Sequence, residues 1–267
     1  MAPPAKRDGS LTMFRALSPE YEVRAVLGTL LKQGIPLDQA EVLYTQEDIY
    51  PALFQQIVSS TRPGGEASSQ ELLVYRGGYP LGETRPGMAF YFWIEWLRSG
   101  AAKRALLECL ARGLIRLPAG VDSLTAYRLA ADLPDSGSME AWNRYCAEPP
   151  EIPASSPEEQ QARKSLLECI LPFTERWQRA ADSRQVLEAG LCWLHDTVTV
   201  QNERDQRAAA RLEHYLATWT ERPVTDKSEF LDQLLAWLES TRLAPERPEP
   251  GKLVLTPLNQ GACLNKP

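Results

Sequence analysis

With 267 residues, 43% apolar and 24% charged, the chain has room for one large or two modest domains with a real core, and its composition is that of a globular protein. A net charge of −6 and a pI near 5.2 exclude a global basic field that would draw it to nucleic acid or anionic membrane, so any DNA contact must come from a local patch. The N-terminal residues lack the apolar stretch of a secretory signal, and the longest apolar run, Met88 to Ile94, is far too short to cross a membrane. The expectation is a cytoplasmic protein without membrane attachment. The five cysteines are scattered with no CxxC pair, which fits free thiols in a reducing compartment better than disulfides or a metal site.

Residues 1–12 read as a loose tail. Met13 to Leu17 has the look of a short strand. Ser18-Pro19-Glu20 then forms a helix start: a Ser cap, a Pro in the first turn and an acid near the positive end of the dipole. Val23, Val26, Leu27, Leu30 and Leu31 make its apolar stripe, and Gly34 stops it. After the Ile35-Pro36-Leu37-Asp38 loop, Glu41 to Thr45 reads as a strand and Asp48 to Val58 as a helix. Ser59 to Gln70 is polar and rich in Gly and Ser, and Leu72 to Tyr75 suggests a third strand. Arg76-Gly77-Gly78-Tyr79-Pro80 turns the chain, and Arg85-Pro86-Gly87 opens a strongly apolar helix. Strand, helix and strand with short connections imply a parallel α/β layer.

From about residue 100 the pattern becomes helix after helix, over 101–112, 123–132, 138–147, 157–170, 172–181, 184–201, 204–219 and 228–240. Ser156-Pro157-Glu158-Glu159 is a capping box. No strand pattern recurs until Lys252-Leu253-Val254-Leu255-Thr256, which opens on Pro257-Leu258-Asn259-Gln260-Gly261. The predicted fold class is therefore α/β with a large all-helical insertion. Residues 13–99 and 250–267 form the layer and 100–249 the insertion, with helix dominating.

Few constellations here support chemistry. There is no GxxxxGK[ST] to cradle ATP phosphates, and none of the seven lysines has Asp or Glu two residues before it, so a PD-(D/E)XK metal centre is not present either. Cys192 and His195 sit one helical turn apart without an evident third ligand, and a packed helix face is the better reading. Arg204, Arg207 and Arg211 at i, i+3, i+7 form either a solvated face beside Glu203 and Asp205 or a surface that tracks phosphates. Lys103, Arg104, Arg112 and Arg116 make a second basic cluster open to the same two readings. The tryptophans at 93, 96, 177, 193, 219 and 237 lie in amphipathic helices and are expected in the core.

Three segments carry a family resemblance. Ser18 to Val26 with Gly34-Ile35-Pro36-Leu37-Asp38 and Val42-Leu43-Tyr44 resembles a stretch of the second RecA-like domain of superfamily 1 helicases. Thr84-Arg85-Pro86-Gly87 resembles the R-P-G helix start of that domain. Pro250 to Leu258 resembles the strand that runs into its DNA-contacting motif. The group most resembled is the AddB-like helicase–nuclease proteins and their relatives in the PD-(D/E)XK nuclease family, in which the helicase portion is often degenerate. The helicase motif near Thr256 normally continues through a His and a Lys-Gly-Leu-Glu run. Here Leu258 and Gln260-Gly261-Ala262-Cys263 stand instead, so the nucleotide-sensing groups are missing.

The resemblance implies a non-catalytic, helicase-like portion of a DNA end-processing helicase–nuclease acting in double-strand break repair and recombination. DNA and a partner helicase–nuclease subunit are the implied partners, and Thr256, Asn259, Gln260 and Gly261, with Arg204, Arg207 and Arg211, the candidate DNA contacts. No cofactor is expected in this chain; for the whole protein the family implies Mg²⁺, with ATP and an iron–sulfur cluster as further candidates. The alternative is a helical protein–protein scaffold without nucleic-acid binding. The chain reads as a piece of a larger protein, with Leu253–Thr256 left at a ragged sheet edge or paired with Leu43 or Phe14 only, and residues 257–267 exposed and irregular.

Overall fold

The computed structural model describes residues 13–60, 72–100, 102–133, 140–141, 144–145, 156–180, 183–218 and 227–261. Its contacts divide the chain at Gly78/Tyr79 and Leu243/Ala244 into a sheet unit and a helical unit, Tyr79–Leu243. Helices hold more than half of the described residues.

In the sheet unit, α1 (Pro19–Gln33) forms as its sequence dictates. Ser18 caps it by accepting from the Tyr21 amide, Pro19 fills the first turn, and Gly34 ends it at φ 64°. The amides of Gly34 and Ile35 turn back to Leu31 and Leu30, closing the last turn as only a left-handed residue allows. β1 (Glu41–Tyr44), α2 (Tyr50–Ser60) and β2 (Leu73–Tyr75) follow, and β3 (Leu253–Pro257) enters between the two earlier strands. Both pairings are parallel, with Glu41 opposite Val254 on one side and Leu73 opposite Leu253 on the other. All five β3 residues are buried, as an apolar central strand must be. A four-residue helix, α10 (Leu258–Gly261), follows it.

The helical unit comprises α3 (Arg85–Arg98), α4 (Lys103–Ala111), α5 (Ser123–Ala131), α6 (Pro157–Arg179), α7 (Ser183–Thr197), α8 (Glu203–Thr218) and α9 (Lys227–Ser240). α3 is its axis and packs against α4, α7, α8 and α9. Phe90, Trp93 and Ile94 are fully buried along it. Gly190 on α7 makes room for them, since a Cβ there would lie 3.1 Å from the Trp93 ring. Ser156 and Glu159 exchange the two bonds of a capping box at the start of α6. Trp193 is buried and donates from Nε1 to the Ala89 carbonyl, while Trp237 stacks on Tyr215 at 3.5 Å. Trp177 and Trp219 have no described side chain, and the 138–147 pattern lies mostly outside the described residues.

The structure departs from the sequence reading at several places. Met13 to Leu17 is not a strand and leaves Met13, Phe14 and Leu17 exposed: its apolar residues find no facing partner. The 157–170 and 172–181 patterns are one helix that passes through Pro172. The apolar helix at 85–98 belongs to the helical unit and not to the sheet layer, because its aromatic side chains pack among other helices. β3 is not at a ragged edge but between two strands, because β1 and β2 leave a gap one strand wide. Pro257 is the buried end of β3, and Leu258–Gly261 is helical rather than irregular; 262–267 lie outside the described residues. Among the described residues, no helix is long and apolar enough to cross a membrane, and residues 120–240 contain no strand.

Candidate functional site

Three parallel strands ending together make a carboxyl edge, which is where α/β folds place ligands. In the sheet unit, Tyr44, Thr45 and Glu47 after β1 meet Pro257, Leu258 and Asn259 after β3 around a cleft of about 300 Å³. The turn after β2 closes on the same edge. A Cβ on Gly77 would fall 2.4 Å from Pro257 Cγ, so only glycine permits this approach, and Gly78 follows at φ 77°.

Side chains tie the rest of the sheet unit together. Asp38 Oδ2 accepts from the Gly251 amide at 3.0 Å, joining the Gly34–Asp38 loop to the turn that delivers β3. Glu246 accepts from Tyr75 N at 2.9 Å and returns its own amide to Tyr75 O, covering the outer edge of β2.

The predicted DNA contacts scatter when placed on this frame. Thr256 is buried, and its hydroxyl donates to Glu41 Oε1 at 2.5 Å, so it braces β1 against β3 and presents nothing to a ligand. Asn259 is exposed and lines the cleft, Gln260 is exposed beside it, and Gly261 ends α10. None of the lining residues is a cation, and Glu47 is an acid, so the cleft is a poor phosphate site.

In the helical unit the arginine stripe is not a surface. Arg204 is buried with its guanidinium 4.9 Å from the Tyr79 ring centre, Arg207 is half-buried, and only Arg211 is exposed. The reason is periodicity: Arg204 begins the i, i+4 row continued by Ala208, Leu212 and Leu216, all buried. Asp205 beside it accepts from Gln201 N, while its amide is capped by Asn202 Oδ1. Burial pushes the Asp205 carboxyl above its ordinary range, against the pull of that amide and of Arg85.

The Thr84-Arg85-Pro86-Gly87 motif has a structural account. Thr84 Oγ1 accepts from Gly87 N at 3.1 Å and donates to Leu81 O at 2.6 Å, so the hydroxyl both caps α3 and locks the preceding turn. A Cβ on Gly87 would sit 1.9 Å from Leu81 O, which leaves glycine as the one residue that fits. Arg85 donates to the carbonyls of Arg112 and Gly113 and to Thr199 Oγ1, clamping the α4–α5 and α7–α8 connections onto α3. Its guanidinium is desolvated enough to lower its pKa from the usual arginine value.

The second basic cluster divides as well. Lys103 Nζ donates to Ala131 O and Leu133 O and closes the end of α5. Arg112 pairs with Glu108 and lies over the Phe92 ring, while Arg104 and Arg116 are exposed. Cys192 is half-buried, and His195 stands 3.6 Å from the Glu213 carboxylate. Among the described residues, no three His, Cys, Asp or Glu side chains gather to hold a metal. Burial drives the Cys109 thiol far upward, so it is inert as a nucleophile.

The roles of Asp38 and Glu246 are absent from the sequence reading, because both act across more than 170 residues. No protein-family model matches the chain, and no curated protein sequence matches it.

Proposed function

We propose that the chain is the non-catalytic, helicase-like portion of a DNA end-processing helicase–nuclease of the AddB-like group, with its sheet unit as a RecA-like layer. The observation that carries this is topological. The chain leaves the sheet after β2, builds the whole helical unit, and returns to add β3 between the strands it had already laid down. That excursion is similar to the layout implied by the helicase-domain resemblance and supports the reading, as do the positions of the three motif segments. The Gly34–Asp38 loop holds the turn into β3, Thr84 to Gly87 starts the first helix of the insertion, and Leu253 to Pro257 is the central strand. On this reading the chain contacts DNA or a partner subunit and leaves nuclease chemistry, with its Mg²⁺, to other parts of the protein.

The second reading, a helical protein–protein scaffold, draws on the cation-free cleft at the sheet edge. Anisotropy of a labelled DNA fork separates the two. DNA contact predicts binding at low salt that weakens linearly in log–log form as salt rises. No binding at low salt would leave the scaffold.

A further inference from the structure

α3 and α4 pack side by side with Arg112, at the end of α4, back beside Met88 and Phe92 of α3, and their outer seam opens as a cleft of about 520 Å³. That volume is in the range of built ligand sites. Its chemistry is polarised along its length. At one end Tyr91 and Phe92 set their rings edge to face at 5.4 Å, and the Arg112 guanidinium lies 5.7 Å over Phe92. At the other end stands Arg104, exposed and without an ion pair among the described residues. Ala105 between them is small and leaves the groove open.

The two acids in the groove are already answered. Glu95 pairs with Arg98 at 2.8 Å and Glu108 with Arg112 at 3.1 Å, so Arg104 is the lining charge left for a ligand. Arg104 lies in the first turn of α4 and Arg112, eight residues on, caps its end, about 12 Å along the axis.

We infer that this cleft binds single-stranded nucleic acid, one base stacking at the Tyr91, Phe92 and Arg112 end and a phosphate of the same strand meeting Arg104. Aromatic rings and guanidinium planes accept any base face, and an isolated arginine meets a phosphate without sequence preference. The inference rests on the DNA-contact reading above and gives it a location in the helical unit.

The test uses the full chain and a short fluorescent oligothymidylate at low salt, read by anisotropy. Arg104→Glu is expected to weaken binding about tenfold and to reduce the salt slope by about one. Tyr91→Ala is expected to weaken it about tenfold with the slope unchanged. Arg128→Glu, on the exposed side of α5, is the control and leaves binding as in the wild type. Arg104 is exposed and makes no hydrogen bond or ion pair among the described residues, so its variant is expected to fold, and circular dichroism checks that for both. Wild-type binding that neither variant alters would overturn the cleft while the DNA reading stands. No wild-type binding at all removes both. Binding of an acidic peptide instead of the oligonucleotide, lost in Arg104→Glu, assigns the cleft to protein and overturns the nucleic-acid inference.

Discussion

The two units of this chain solve the same problem differently. The helical unit closes its own core: an apolar cluster runs from Leu81 to Leu243, with α3 buried along most of its length. The sheet unit buries β2 and β3 completely yet keeps, among the described residues, seven of the ten exposed large apolar side chains, from Met13 and Leu17 to Leu43 and Leu258. β2 has its outer edge covered by Glu246, whereas the described residues place no strand beside the outer edge of β1. A bundle buries each helix by surrounding it, while a parallel sheet must have both faces and both edges covered, so the sheet unit is the one that keeps more apolar side chains exposed.

The largest effect that would break this comparison lies on α3. Trp93→Ala should destabilise the helical unit by about 3–5 kcal/mol in denaturant unfolding, because the cavity opens on the fully buried face of α3 against Gly190 of α7. A cost under about 1 kcal/mol would show that α3 is not the axis. Gly87→Ala comes next, at about 3 kcal/mol, since the new methyl collides with backbone that cannot swing aside. Its counterpart in the sheet unit has the opposite sign. Gly28, inside α1, has nothing within 4 Å of a built Cβ, so Gly28→Ala should stabilise by about 0.5–1 kcal/mol through helix propensity.

Smaller effects sharpen the contrast. Glu246→Ala removes the acceptor of the Tyr75 amide and should cost about 1 kcal/mol, with faster hydrogen exchange confined to β2. Protection of Tyr75 unchanged in that variant would show that the edge is covered by something else. The last effect is pH dependence. The folded state raises the Asp205 pKa, so in the window just above the ordinary carboxylate range the native chain holds a proton that the unfolded chain has lost. Its contribution therefore favours folding at low pH and is lost as pH rises through the raised value. Asp205→Asn should flatten the fall in stability across that window. An unchanged slope would mean that the carboxyl is not desolvated.

Much of the fold was legible because its signals are local. Ser18 and Pro19 start α1 and Gly34 ends it; Ser156 and Glu159 form their box; Thr84 to Gly87 start α3. These are devices whose partners lie within four residues, and the sequence carries them whole. The candidate site was much less legible. Arg204, Arg207 and Arg211 share a helix face, but spacing alone does not say which way that face looks, and the structure turns Arg204 inward over Tyr79. Thr256 stands in a motif that resembles a DNA contact, yet its hydroxyl is used by Glu41, a partner 215 residues away. Nothing within the apolar run Met88 to Ile94 singles out Tyr91 and Phe92, and only the packing of α4 beside α3 places them with Arg104 in one groove.

The sequence by itself determined the caps that start α1, α3 and α6, the switch from an α/β layer to a run of helices, and the residue inventory, which holds no phosphate-cradling or paired-carboxylate motif. These depend on backbone propensity, caps and residue inventory, which act over a few residues. Tertiary structure alone decided that the last strand enters the middle of the sheet, that α3 belongs to the helices, and which arginines face solvent. Each of these is set by which apolar surfaces bury one another across long stretches of chain, a competition among non-local partners that no window of the sequence contains.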